Sequence, residues 1–276
     1  MIKAPCFYQQ PNCSPKLSRE HVISKSVLAA VFGSPIRNSV QSDVLGEKIL
    51  LDHQAVVKDV CRRCNSDLSP YDIAGALLVK ELMPSFNAEG LRITVTRETI
   101  GWLLKTHLNY FRVIKDSLTQ KSYPVDQEIK SSLINSHSLP CSKFKFFVHG
   151  IAGLPYYWDA NDPRRISWFS YLSLRLLQQN IVVSELRIKC INTWLLLPVN
   201  GNYEDFDARV SSTLSELFND WKVELQALDV KRTIDNGFIE ISKILNEDEF
   251  MGYLIARARN DQSELPINYQ HPNLYF

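Results

Sequence analysis

Polar and apolar positions along the chain separate into local periods that predict its elements. Residues 18 to 33 read as a strand ending near His21. A short helix follows, Lys25-Ser26-Val27-Leu28-Ala29-Ala30-Val31-Phe32, stopped by Gly33-Ser34-Pro35. Ile36 to Gly46 is polar and turn-rich and reads as a surface excursion, with a mobile loop over a substrate channel as the alternative. Two strand-like runs come next, Lys48-Ile49-Leu50-Leu51 and Ala55-Val56-Val57-Lys58-Asp59-Val60, with His53 in the turn between them. After Pro70 the period is helical, at Ile73 to Val79 and, past a break at Pro84, at Thr99 to Lys115. In that second helix Trp102, Leu103, Phe111 and Ile114 are expected to pack inward, leaving Lys105, His107, Asn109 and Arg112 on a solvated side.

From about Pro140 the chain becomes strand-rich. Lys143 to His149, Ile181 to Ile188 and Thr193 to Val199 are expected in one sheet, and the aromatic and basic run Tyr156 to Arg165 in a loop between them. Residues 203–227 and 247–260 are helical in pattern, and the aromatic tail Pro272 to Phe276 is expected to tuck against a surface. No internal repeat or low-complexity tract interrupts the order. These periods predict an α+β chain in two parts, residues 1–80 and 81–276, the second with no chemistry of its own on display.

The chemistry sits in the first part. Cys6 and Cys13 form one cysteine pair, Cys61 and Cys64 a second, and Glu20-His21 lies between them. Two separated pairs can close a tetrahedral thiolate site around zinc, and the binding energy would hold together a segment short of apolar core. His21 is an imidazole able to take a proton from water near neutral pH, and Glu20 and Asn65 offer oxygens to a hard divalent ion. Neighbours on a strand point to opposite faces, so Glu20 and His21 can serve one site only where the strand bends or ends. Cys141 and Cys190 lack ligand spacing and read as small buried residues.

At these residues the chain resembles the HNH endonucleases, the ββα-metal nucleases, in the branch with a four-cysteine zinc knuckle. The stretch Ser18-Arg19-Glu20-His21-Val22-Ile23-Ser24 matches the end of the family's first strand. Cys61-Arg62-Arg63-Cys64-Asn65 matches the knuckle that opens its helix. The resemblance covers about residues 5 to 75. It implies an N-terminal zinc-stapled ββα-metal domain with Cys6, Cys13, Cys61 and Cys64 on a structural Zn²⁺. Glu20 and Asn65 would hold a catalytic Mg²⁺ or Mn²⁺, and His21 would be the general base. Arg19, Lys25, Arg62 and Arg63 are expected to contact phosphates of DNA. The chain departs from the family in its C-x6-C first pair and in the roughly forty residues between His21 and Cys61. That spacing leaves Asp52, His53 and Gln54 as candidates for the middle position, and Asp67 and Asp72 as weaker options on the following helix.

Composition adds limits. A formal net charge of +1 gives no whole-molecule field for nucleic acid, so contact must come from a local patch such as Lys16, Arg19, Lys25, Arg37, Lys58, Arg62 and Arg63. No run approaches the roughly eighteen apolar residues that a span needs, and the N-terminus lacks an export pattern. A soluble, cytoplasmic protein with reduced thiols is therefore expected. The function expected is DNA phosphodiester hydrolysis, in restriction, mobile-element or antiviral defence. The second 196 residues would select substrate or dock an activating protein partner. The alternatives are an inactive zinc-stabilised nucleic-acid-binding module and a partner-gated subunit of a defence complex.

Overall fold

The computed structural model describes residues 6–32, 40–42, 49–51, 56–85, 87–113, 124–135, 138–152, 169–176, 179–218, 224–246 and 249. Within that set the chain is a mixed α+β protein built of several small sheets, one larger sheet and packed helices.

The N-terminal part is organised by β1 (Leu17–His21), which pairs antiparallel with β4 (Val56–Cys61). The ladder slips between Ser18 and Glu20. Ser18 faces Val60 but Glu20 faces Val57, so Arg19 opposes both Lys58 and Asp59. Such a bulge bends and twists the pair. β1 stops at His21, where the sequence required a bend or an end. Between these strands lie α1 (Lys25–Phe32), within its expected limits, and the antiparallel pair β2 (Val40–Ser42) and β3 (Ile49–Leu51). The stretch read as a turn-rich excursion therefore contributes a strand, because β3 supplies it with backbone partners. Asp52, His53, Gln54 and Arg37 lie outside the described residues.

β4 runs directly into α2 (Arg62–Asp67), and α3 (Ser69–Leu82) follows. Helix α3 starts earlier than its apolar period because Ser69-Pro70 occupies the first turn, where proline lacks no needed donor. After β5 (Arg92–Thr94) comes α4 (Arg97–Val113). α3 and α4 approach closely through reciprocal glycines. A Cβ on Gly75 would meet the Trp102 ring at 2.4 Å, and one on Gly101 would meet the Tyr71 ring at 2.4 Å.

The larger sheet has the order β10-β6-β9-β8-β7, with β12 pairing in parallel to β6. Its strands are β6 (Lys145–Ile151), β7 (Phe169–Leu176), β8 (Ile181–Ile188), β9 (Ile191–Pro198), β10 (Gln226–Leu228) and β12 (Ile244–Leu245). The three strands expected to share a sheet do so. β10 overlaps the end of 203–227, which reads as helix. Helix α6 (Phe206–Phe218) ends earlier, and Gln226–Leu228 instead pairs with the edge of β6, a partner that helical periodicity cannot reveal. The remaining elements are α5 (Gln127–Ile134), α7 (Val230–Asn236) and β11 (Phe238–Glu240), the last paired with β5.

Strands β8 and β9 are buried along their whole length, so both faces of the sheet are covered. On one face Val182, Leu186, Ile188 and Leu195 join a core that includes Leu104 and Leu108 of α4 and continues to Cys6, Tyr8 and Val60. It is continuous across residue 80. On the other face Val183, Trp194 and Leu196 pack with Phe206 and Val210 of α6. His107 of α4 ties helix to sheet. Its Nδ1 lies 2.8 Å from Ser184 Oγ and its Nε2 3.2 Å from Thr193 Oγ1.

Helix α4 corrects an expectation. Lys105, His107 and Asn109 are all buried, and the solvated side predicted for them does not exist. Sheet, α3 and β1 together surround the helix, and the Lys105 ammonium, both His107 ring nitrogens and the Asn109 Nδ2 group each meet a partner there. The side chain of Arg112, residue 114 and the segments 153–168 and 250–276 lie outside what is described, with the expectations placed on them. No described helix is long and apolar enough to cross a membrane.

Candidate functional site

Two arrangements meet at the β1–β4–α2 unit. The first is a thiolate cluster: the Sγ atoms of Cys6, Cys13, Cys61 and Cys64 all lie within 4.8 Å of one another. Zinc with Zn–S bonds of about 2.3 Å places tetrahedral sulfurs roughly 3.8 Å apart. The Cys13 and Cys64 sulfurs are 3.7 Å apart. The donor set, spacing and burial are thus compatible with a structural Zn²⁺.

The C-x6-C loop reaches the site by folding on itself. Gln9 N–H donates to Cys6 O at 3.0 Å, Gln9 adopts φ 46°, and Cys13 N–H donates to Gln10 O at 3.1 Å. The longer spacing is therefore absorbed by turns, while Tyr8 anchors the loop in the core. Backbone N–H groups support the sulfurs: Cys61 N donates to Cys6 Sγ at 3.3 Å, Cys64 N to Cys61 Sγ at 3.4 Å and Gln10 N to Cys13 Sγ at 3.2 Å. Cys61 is also the N-cap of α2, so one sulfur serves both ligation and helix initiation.

These environments differ electrostatically. Burial raises the Cys61 thiol, but hydrogen bonds from Cys64 and Ser14 outweigh it and bring the group down to about 6. Burial and the Cys6 neighbour push Cys13 up to about 11, and burial pushes Cys64 up further. A cation placed among them would favour the thiolate throughout. Cys190 is buried and Cys141 half-buried, both apart from the cluster.

The second arrangement is a cleft of about 140 Å³ lined by Arg19, Glu20, His21, Ser24, Lys25, Ser26, Asn65, Asp72 and Lys105. It brings together the three residues expected to act in catalysis, Glu20 and His21 from the end of β1 and Asn65 from α2. Arg19 and Lys25 join them. Asp72, a weaker option from sequence, lies in the cleft, whereas Asp67 pairs on the surface with Arg63 at 3.8 Å. Arg62 and Arg63 are exposed on α2 outside the cleft lining, and Arg63 Nη1 also donates to Asn12 O at 3.2 Å.

Helix α4 supplies the floor, which sequence reading missed. Lys105 Nζ lies 2.5 Å from Asp72 Oδ1 and 3.3 Å from Glu20 Oε1, with Lys105 and Glu20 each 2% exposed. One turn on, Asn109 Nδ2 reaches His21 O and Val22 O, each at 3.2 Å, and Glu20 Oε1 at 3.4 Å. Asn109 thereby clamps the strand end that presents Glu-His. The signal available in sequence was the i, i+4 spacing of Lys105 and Asn109, which places both on one helix face.

Burial raises the Asp72 carboxyl above its ordinary range against the pull of Lys105. Burial, then Lys25, lower His21 below the ordinary histidine range, against the opposing pull of Asp72 and Glu20. Both effects favour the neutral imidazole. Among the described residues nothing hydrogen-bonds its ring, so a ring nitrogen is available to accept a proton. No family model matches the chain, and no curated protein or solved structure matches it.

Proposed function

We propose that the chain is a metal-dependent endonuclease of the HNH, ββα-metal type that hydrolyses phosphodiester bonds in DNA. The observation that carries this reading is the convergence of Glu20, His21 and Asn65 in one cleft, on a strand–strand–helix unit whose turn into the helix carries two of the four clustered cysteines. The zinc would be a scaffold that fixes α2 against β1.

A divalent ion, Mg²⁺ or Mn²⁺, would be held by the carboxylate of Glu20 and the amide oxygen of Asn65. Carboxylate and amide oxygens suit such a hard ion, and it would stabilise charge growing on the leaving 3′ oxygen. His21 accepts the proton of the attacking water, a role that needs the neutral imidazole its surroundings favour. Arg19 and Lys25 in the cleft, with exposed Arg62 beside it, would hold flanking phosphates. Residues beyond 80 would select substrate or dock an activating partner, in restriction, mobile-element or antiviral defence.

One observation favours the second reading, an inactive nucleic-acid-binding module or a partner-gated subunit of a defence complex. Lys105 already neutralises charge on Glu20 and Asp72. Cleavage of supercoiled plasmid by wild type and His21→Ala at matched zinc content, with Mg²⁺, Mn²⁺ or chelator, separates the two. Cleavage that needs added metal and is lost by at least about a hundredfold in His21→Ala is expected, the scale of a general base. Asn65→Ala should raise the Mg²⁺ requirement with zinc retained. A folded, zinc-loaded wild type that leaves DNA uncut on every metal would overturn free nuclease activity in favour of the second reading.

A further inference from the structure

We propose that Lys105 is the resident cation of the cleft, and that a divalent ion enters by displacing its ammonium group from Glu20 and Asp72. The inference rests on the nuclease reading and adds Asp72 to the residues that would hold the ion.

Lys105 Nζ touches one oxygen of each carboxylate, at 2.5 Å on Asp72 and 3.3 Å on Glu20. A lysine this buried is costly to desolvate and is retained only where anions compensate it. Here the compensation is mutual, because two carboxylates enclosed side by side without a cation would repel each other. Glu20 on β1, Asp72 on α3 and Lys105 on α4 therefore form one linked ionic group drawn from three elements. Asn109 holds the same strand end from the next turn of α4 and would keep its 3.4 Å contact to Glu20 Oε1 if the lysine left.

A divalent ion requires the same oxygens. Mg²⁺ sits about 2.0–2.1 Å from its ligands, and an ammonium in hydrogen-bond contact with those oxygens occupies the space the ion and its waters need. Charge leads to the same conclusion. Two carboxylates and one lysine carry a net charge of −1. Counted over these three side chains alone, an added divalent ion would bring the sum to +1 beside Arg19 and Lys25, whereas exchanging it for the ammonium leaves the carboxylate pair neutral. Ion and lysine are thus competitors. The exchange makes the resting cleft ion-poor without disordering it, and anything that draws the lysine away, such as a bound phosphate backbone, would favour ion entry.

The test compares full-length, zinc-loaded wild type with Lys105→Met by following free Mn²⁺ with electron paramagnetic resonance. The variant is expected to bind Mn²⁺ more tightly by about tenfold or more, since a competing charge has been removed at contact distance. Mn²⁺ should also raise the melting temperature of Lys105→Met more than that of wild type. Equal or weaker Mn²⁺ binding by the variant would overturn the proposal.

If Lys105→Met does not fold, wild type supplies the test, through the ¹⁵N-ammonium resonance of Lys105 during Mg²⁺ titration. Loss or displacement of that resonance is expected, and an unchanged resonance at saturating Mg²⁺ would overturn the exchange. Failure of the nuclease reading is distinguishable. Tighter Mn²⁺ binding by Lys105→Met with no cleavage by wild type would remove the nuclease and keep the exchange. His21-dependent cleavage with no difference in Mn²⁺ binding would do the reverse.

Discussion

Replacing Cys61 by serine isolates what the thiolate cluster contributes. Cys61 is fully buried, its sulfur lies within 4.8 Å of the other three, and it accepts a hydrogen bond from Cys64 N–H at 3.4 Å. Serine can still cap α2, because its oxygen accepts the same kind of bond, so the substitution removes the ligand while preserving helix initiation. Structural zinc contributes an apparent free energy of about 10–16 kcal/mol in small thiolate domains. Shared evenly over four ligands, the loss is roughly 2.5–4 kcal/mol per sulfur. That is a large part of the 5–15 kcal/mol by which whole proteins are stable. Cys61→Ser is therefore expected to lose zinc, measured as metal per chain, and to expose the amides of β1 and β4 to rapid hydrogen exchange. Cys141→Ser is the control, since Cys141 lies outside the cluster and its sulfur donates locally, to Leu139 O at 3.3 Å. A Cys61→Ser protein with one zinc per chain and an unshifted melting temperature would refute the assignment of Cys61 as a ligand.

Two further outcomes follow from packing and burial. His107 and His149 are pushed down to about 3 by burial, so the folded chain does not take up protons that the unfolded chain binds below about pH 6.5. Stability should thus rise with pH from about 3 to 6.5 and fall on acidification, and a denaturant midpoint that stays flat from pH 7 to 4 would contradict this. Gly75→Ala places a methyl 2.4 Å from the Trp102 ring. Overpacking by about 1–3 kcal/mol should outweigh the helix-propensity gain of about 1 kcal/mol and lower the melting temperature, whereas a higher one would mean that α3 and α4 can separate freely.

Sequence alone determined the parts whose signals are local. The second cysteine pair opens α2 because ligand spacing and helix start coincide within Cys61–Asn65. Strand β1 ends at His21, α1 spans Lys25–Phe32, and β8 and β9 follow their apolar runs, since each pattern is complete within one element. Tertiary structure decided what those elements face. Lys105, His107 and Asn109 have the pattern of a solvated side, and polarity along a helix does not say whether water or a carboxylate lies opposite. The carboxylate of Asp72 is 33 residues from Lys105, and that of Glu20 is 89 from Asn109. The glycine contacts between α3 and α4 bring the first pair together, and the end of β1 brings the second. The same holds for Gln226–Leu228, whose strand state depends on the free edge of β6, and for Cys13, which reaches the thiolate cluster only through the turns of its loop. Burial converts these distant meetings into obligations, because a charge removed from water must find its partner wherever the chain has placed it.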